Sequence, residues 1–186
     1  MRRRIMAALM TALLLLPLAA CGKDAAREAF EALRVSMQDG RAELTATVTA
    51  FGAGGEQTEY GISCESDAEA SEVETTAPEL IAGVRARIEA GSASIEYEGL
   101  MLDAGEASEG LSPVTALPKL CEAIRTAHVE LAWTEGGESV VSLVPEDETA
   151  ITLRLDGNGC PVSAEFTSSG SGETLMLCRI EGFALG

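Results

Sequence analysis

Short segments in which apolar and polar residues alternate recur along most of this chain. In the first of them, Leu44, Ala46 and Val48 alternate with threonines. A period of two places one set of side chains in a core and the other in solvent, as in an antiparallel strand with one buried face. About ten short strands are predicted in this way. They lie within 42–50, 58–66, 71–77, 84–89, 92–99, 100–102, 129–134, 139–145, 149–155, 160–166 and 174–183.

Two segments have a helical period instead. Apolar residues recur at steps of three and four within 22–39, where Asp39-Gly40 ends the pattern. A second helix is predicted within 111–128, with Pro118 in its first turn. The first helical face consists of Ala26, Phe30, Leu33 and Met37. The expected fold class is α+β: one curved antiparallel half-barrel sheet, closed by an N-terminal helix and an inserted helix.

The N-terminus has the features of an export signal. Three arginines precede an apolar run from Ile5 to Ala20, which is too short to be a typical transmembrane helix. The run ends in Leu-Ala-Ala-Cys at Cys21, a pattern that resembles the lipobox of bacterial lipoproteins. The resemblance implies a signal peptide over 1–20, a diacylglycerol-modified Cys21 and one domain over 21–186, held on the outer face of the cell membrane. An ordinary cleaved signal or a short anchor helix is the alternative.

The chain is strongly acidic. Its formal net charge is −17, and loss of the three leading arginines with the signal would leave −20. No basic stripe remains, which argues against a nucleic-acid partner. Anionic lipid headgroups would repel such a surface, so attachment to the membrane would depend on the lipid anchor.

Four further cysteines lie in the predicted domain: Cys64, Cys121, Cys160 and Cys178. Export permits disulfides, and four cysteines allow three pairings. Cys160 and Cys178 lie on the apolar faces of successive strands, which makes a bridge between them reasonable and leaves Cys64 to pair with Cys121. Four buried free thiols are the alternative. No CxxC spacing indicates a zinc or redox motif.

No catalytic pattern stands out. His128 is the single histidine, and it lies at the end of the second apolar helix face, where a structural role near the negative end of the helix dipole is expected. The acidic segments lack the spacing of a calcium loop. We therefore predict no enzyme activity, no metal and no cofactor.

Four segments carry a further resemblance: "APELIAGVRARI", "SASIEYEGLMLDAG", "LSPVTALPKLCEAI" and "ITLRLDGNGCPVSAEF". Their order and spacing resemble the LolA/LppX/LprG-like lipoprotein carrier fold, and also clostridial lipoproteins of that fold such as the germination lipoprotein GerS. The first group implies a cavity for a lipid acyl chain. The second implies a non-catalytic partner of a cell-envelope enzyme.

Two functional hypotheses follow from this resemblance. In the first, the half-barrel binds a lipid or another apolar ligand in a mostly apolar cavity. In the second, its surface binds an envelope protein. The expected lining of the cavity is Leu44, Val48, Tyr60, Ile62, Val84, Ile88, Ile95, Tyr97, Leu153 and Phe166. The alternative for each of these residues is a place in the core, so a filled interior would favour the second hypothesis.

Overall fold

A computed structural model describes residues 21–52, 54–89, 92–97, 100–106, 111–145 and 149–186. Within these residues the chain forms two α-helices, α1 (Cys21–Gln38) and α2 (Pro113–Thr126), and one sheet of eleven strands. The strands are β1 (Ala42–Phe51), β2 (Gln57–Ser66), β3 (Ala70–Ala77), β4 (Arg85–Glu89), β5 (Ser92–Tyr97), β6 (Leu100–Glu106), β7 (His128–Glu135), β8 (Glu138–Val144), β9 (Thr149–Leu155), β10 (Pro161–Ser168) and β11 (Thr174–Leu185). The expected α+β class with one open, curved antiparallel sheet is confirmed.

The sheet consists of two meanders joined at its centre. The strand order is β6-β5-β4-β3-β2-β1-β11-β10-β9-β8-β7, and every neighbouring pair is antiparallel. The first and last strands pair in the middle, so β6 and β7 are the two edges. Helix α2 joins these edges, and the connection must therefore cross the whole sheet. This crossing places α2 against the inner face, where it contacts β1, β2, β3, β8 and β11.

Helix α1 covers the other end of the inner face. It packs against β7 and β8, and its predicted apolar face is buried. Phe30 and Met37 from this face are fully buried, together with Phe166 from β10. A core of this kind is stabilised mainly by the apolar area that it removes from water.

Two arginines join the C-terminal ends of the helices, where backbone carbonyls lack helical partners. Arg34 of α1 donates from Nε to the carbonyl of Ile124 at 2.8 Å and from Nη2 to that of Ala127 at 2.6 Å. In return, Arg125 of α2 donates from Nε to the carbonyl of Met37 at 2.9 Å. Each positive side chain therefore bonds to the negative end of the neighbouring helix dipole.

Three local expectations differ from the structure. Helix α2 begins earlier than predicted, because Ser112 caps it in a capping box with Thr115 and Pro113 occupies the first turn; Pro118 lies inside the helix. The segment 103–106, expected to be a loop, continues β6 by pairing with β5. His128 lies outside α2, which ends at Thr126, and it begins β7 as an exposed residue.

Candidate functional site

Half of the ten residues predicted to line an apolar cavity are buried core residues. Five of them are at most 2% exposed and belong to one continuous core cluster: Leu44, Val48, Ile62, Leu153 and Phe166. Tyr60 and Ile95 are half-buried and pack against that cluster. Val84 and Ile88 are half-buried in and beside β4. The side chain of Tyr97 lies outside the described part of the structure.

The space between helices and sheet is filled by large side chains. Phe30 and Met37 from α1 and Leu117, Leu120 and Ile124 from α2 are fully buried beneath the helices. Close packing of this kind leaves few voids larger than a water molecule. Beneath the helices, among the residues that the structure describes, the interior is therefore filled, which is the outcome expected for the partner hypothesis.

A groove of about 800 Å³ crosses the opposite face of the sheet. It extends over six strands, from β5 through β4, β3, β2 and β1 to β11. We call it the outer groove. Its charged lining residues are Glu43, Glu65, Glu72, Glu74, Arg85, Arg87 and Glu96.

The strand register assembles this lining. One row of cross-strand neighbours runs Glu43, Glu65, Glu72, Arg87 and Ser94, and the next runs Thr45, Ser63, Glu74, Arg85 and Glu96. Side chains at alternate positions of a strand share one face, so both rows point away from the core.

Both arginines of the outer groove form ion pairs with glutamates on a neighbouring strand. Arg85 Nε lies 3.1 Å from Glu74 Oε2, and Arg87 Nη1 lies 2.6 Å from Glu72 Oε1. Glu89 and then Glu72 raise the pKa of Arg87 above its ordinary value through hydrogen bonds and charge.

The outer groove retains an excess of negative charge. Glu65 pairs with Arg41 at its edge. Among the residues that the structure describes, neither Glu43 nor Glu96 forms an ion pair. The groove therefore presents carboxylates that can bind a cationic group on another molecule.

The described residues contain no group of three or more His, Cys, Asp or Glu side chains placed to hold a metal ion. His128 is exposed at the start of β7. The side chains of the outer groove can form ion pairs and hydrogen bonds with another molecule.

The four internal cysteines do not all meet as predicted. Cys178 lies opposite Ala164 in the β10–β11 register, and Cys160 precedes Ala164 by four residues, or about 13 Å along a strand. A disulfide needs Cα atoms within about 7 Å, so the predicted Cys160–Cys178 pairing does not fit this register. Cys64 and Cys121, in contrast, are in contact, and a hydrogen bond joins their thiols. All four are free thiols here.

The predicted signal peptide over 1–20 and the side chain of Cys21 lie outside the described residues, so lipidation of Cys21 stays a prediction. Helix α1 begins at Cys21 itself. In the described part of the chain, no helix has both the length and the apolar character needed to span a bilayer.

Neither a family model nor a curated protein matches this chain, but solved structures do. One is an uncharacterised conserved protein from Thermus thermophilus, 12% identical, with 87% of this chain and 88% of that chain covered and a TM-score of 0.50. Another is a LolA superfamily protein from Nitrosomonas europaea, 13% identical, covering 87% and 93%, with a TM-score of 0.47. This chain therefore shares its fold with the Thermus thermophilus protein. A further match is the CwlD amidase of Clostridioides difficile in complex with the GerS lipoprotein, 10% identical, covering 87% and 95%, with a TM-score of 0.46.

At these identities the similarity concerns the fold alone. The curved antiparallel sheet is the framework that brings the charged residues of β1 to β5 together. The sequence already shows Arg85, Arg87 and Glu89 alternating with apolar residues, which indicates a solvent-facing strand side. Which residues of the neighbouring strands they meet depends on register, and no single segment contains that information.

Proposed function

We propose that this chain is a non-catalytic envelope lipoprotein, anchored through Cys21, that acts by binding a protein partner. The observation that carries the proposal is the filled space beneath the two helices in the described part of the chain. A carrier of acyl chains needs an apolar cavity of several hundred Å³. Five of the ten residues expected to line such a cavity are instead at most 2% exposed in the core.

The outer groove is the proposed docking surface. Its volume of about 800 Å³ and its width of six strands suit a protruding loop or an extended segment of another protein. Because Arg85 and Arg87 already pair with glutamates of neighbouring strands, carboxylates such as Glu43 and Glu96 are left to bind the partner. We infer that the partner presents lysine or arginine side chains to the groove. Charge complementarity of this kind mainly sets specificity and association rate.

A photo-crosslinking experiment in intact cells tests this function. A photoreactive residue at Thr45, which is exposed in the outer groove, should form an adduct with one envelope protein. The matched control places the same group at Glu122, which is exposed on α2 outside the groove. The same adduct at both positions, or none at Thr45, would contradict the proposal.

Charge-reversal variants test whether Glu43 and Glu96 bind the cationic groups of the partner. Glu43→Lys with Glu96→Lys should abolish the Thr45 adduct, because the partner's cations would then face lysines. The control double variant, Glu28→Lys with Glu122→Lys, changes the net charge equally at exposed helical positions and should leave the adduct unchanged. Equal loss in both would indicate an effect of net charge alone.

A second candidate function is binding of an apolar ligand on the part of the inner face formed by β4 and β5. There Ile88, Ala93 and Ile95 are only half-buried, unlike Leu143, Leu153 and Phe166 in β8, β9 and β10. An acyl chain laid along these side chains would remove apolar surface from water. Photoaffinity labelling with an acyl-chain diazirine tests it: labelled peptides from β4 and β5 would support it, and labelling elsewhere would contradict it.

A further inference from the structure

The inner face holds two cysteines from segments far apart in the chain. Cys64 lies in β2 and is 2% exposed, and Cys121 lies in α2 and is fully buried. Both belong to the same core cluster. Their separation in sequence means that the tertiary fold alone brings them together.

Arg125 fixes how α2 lies on β2. Its Nη1 donates to Ser66 Oγ at 3.0 Å and its Nη2 to the Ser66 carbonyl at 2.9 Å. Cys121 lies one helical turn before Arg125, and Cys64 lies two residues before Ser66 on the same strand face. Both offsets are about 6 to 7 Å. The bonds between Arg125 and Ser66 hold this part of α2 against β2, and the thiols of Cys121 and Cys64 interact there.

The pKa values of the two thiols are shifted in opposite directions. The hydrogen bond from Cys64, followed by the charge of Arg125 and a hydrogen bond from Ser66, lowers the pKa of Cys121. The hydrogen bond to Cys121 and burial raise the pKa of Cys64. With α2 docked, Cys121 is therefore the more acidic of the two thiols.

We propose that Cys64 and Cys121 form a disulfide that links β2 to α2 in the exported protein. The oxidant is an external disulfide, either of a thiol oxidoreductase or of a small molecule. One of the two cysteines, as its thiolate, attacks one sulfur of the oxidant and expels the other as a thiolate, giving a mixed disulfide. The other cysteine loses its proton and attacks the protein sulfur of this mixed disulfide, expelling the second thiol. The oxidant gains two electrons and two protons, and the protein loses both.

Burial decides when this exchange takes place. Neither sulfur is accessible once α2 covers the sheet, so the reaction belongs to folding, before α2 docks, or to a transient opening of α2. The resulting disulfide is then sheltered from reductants. Cys178 differs, because burial alone raises its pKa to about 12 and no cysteine lies opposite it in either neighbouring strand.

Peptide mapping of the full chain, purified from the cell envelope and alkylated without reduction, tests the proposal. Trypsin cleaves after lysine and arginine, so Cys64 falls in peptide 42–85, Cys121 in 120–125, and Cys160 with Cys178 in 155–179. We expect 42–85 linked to 120–125, with the link lost on reduction. Both peptides recovered separately and alkylated, or either one linked to 155–179, would overturn the proposal.

A second measurement does not depend on export. The reduced, purified chain is unfolded in urea and refolded with oxidised glutathione, and intact-mass analysis should show a loss of about 2 Da for one disulfide. Cys160→Ser and Cys178→Ser should keep this loss, and Cys64→Ser should abolish it. Reduction should also lower the urea midpoint of the wild type but not that of Cys64→Ser. The same loss in Cys64→Ser would contradict the pairing.

Discussion

The two meanders of the sheet differ in how their inner faces are covered. In the meander of β7 to β11, inward residues such as Val141, Leu143, Leu153 and Phe166 are fully buried. Toward the other edge, Ala86 is buried, but Ile88 and Ile95 are only half-buried. Both meanders show the same alternation in sequence. The position of the helices, more than the pattern of a strand, therefore determines how deeply a strand is buried.

The arginines of the covered region and those of the outer groove also differ in burial and in their partners. Arg34 and Arg125 are partly buried and donate to backbone carbonyls at helix ends. Arg85 and Arg87 are exposed and pair with carboxylates on the outer face. The first pair stabilises the covered region, and the second pair shapes a surface that is available for binding.

The largest expected effect is a difference in stability loss between the two meanders when a side chain on the inner face is truncated to alanine. Phe166→Ala removes a fully buried ring and should lower the free energy of unfolding by about 3 to 5 kcal/mol. Ile95→Ala, at a half-buried position, should cost about 1 kcal/mol. Urea denaturation measures both. Equal losses would mean that the inner face at β5 is as well covered as that at β10.

The next largest expected effect is a difference in stability loss between a partly buried arginine and an exposed one. Arg125→Met should lower the free energy of unfolding by about 2 kcal/mol, because it leaves carbonyls of Met37 and Ser66 without their charged donor. Arg85→Met removes an exposed ion pair, and the urea midpoint should barely move. A larger loss for Arg85→Met would show that the outer groove is needed for folding.

The smallest effect should be the same in both meanders. Asp67 Oδ1 accepts from the backbone N–H groups of Glu69 and Ala70, and Asp156 Oδ1 accepts from those of Asn158 and Cys160. These bonds lower the pKa of both carboxyls. Their contribution to stability is therefore present above the ordinary pKa of 3.8 and is lost as the pH falls through the lowered folded value.

Thermal unfolding as a function of pH checks this equivalence. Asp67→Ala and Asp156→Ala should each lower Tm slightly at pH 7 and lose that deficit in acid. The Asn variants keep an acceptor oxygen, so they should lie between wild type and Ala at pH 7. A deficit that persists in acid, or one confined to a single turn, would contradict the assigned cause.

Sequence periodicity identified most of the fold. The helical face with Phe30 and Met37 and the alternation in β1 are local patterns, and the structure follows them. The predicted start of α2 near Pro118 was wrong, because Ser112 caps the helix and α2 begins at Pro113. Residues 103–106 are Asp-Ala-Gly-Glu and contain no large apolar side chain, so no local pattern indicated their pairing with β5.

The candidate site was harder to predict. An apolar residue that fills a core and one that lines a cavity have the same pattern, as Leu153 and Phe166 show. The outer groove depends on the register of six strands, and the separation of Cys160 from Cys178 depends on the register of β10 with β11. Register is a property of the assembled sheet.

Native mass spectrometry of residues 22–186, purified without detergent from cells that contain bacterial membranes, tests the central claim most directly. A protein whose interior is filled and whose function is to bind a partner should give the mass of the polypeptide alone. A reproducible added mass that organic solvent removes and that is identified as a lipid would contradict the claim. Loss of that mass in Ile95→Glu would then locate the lipid on the inner face of β5.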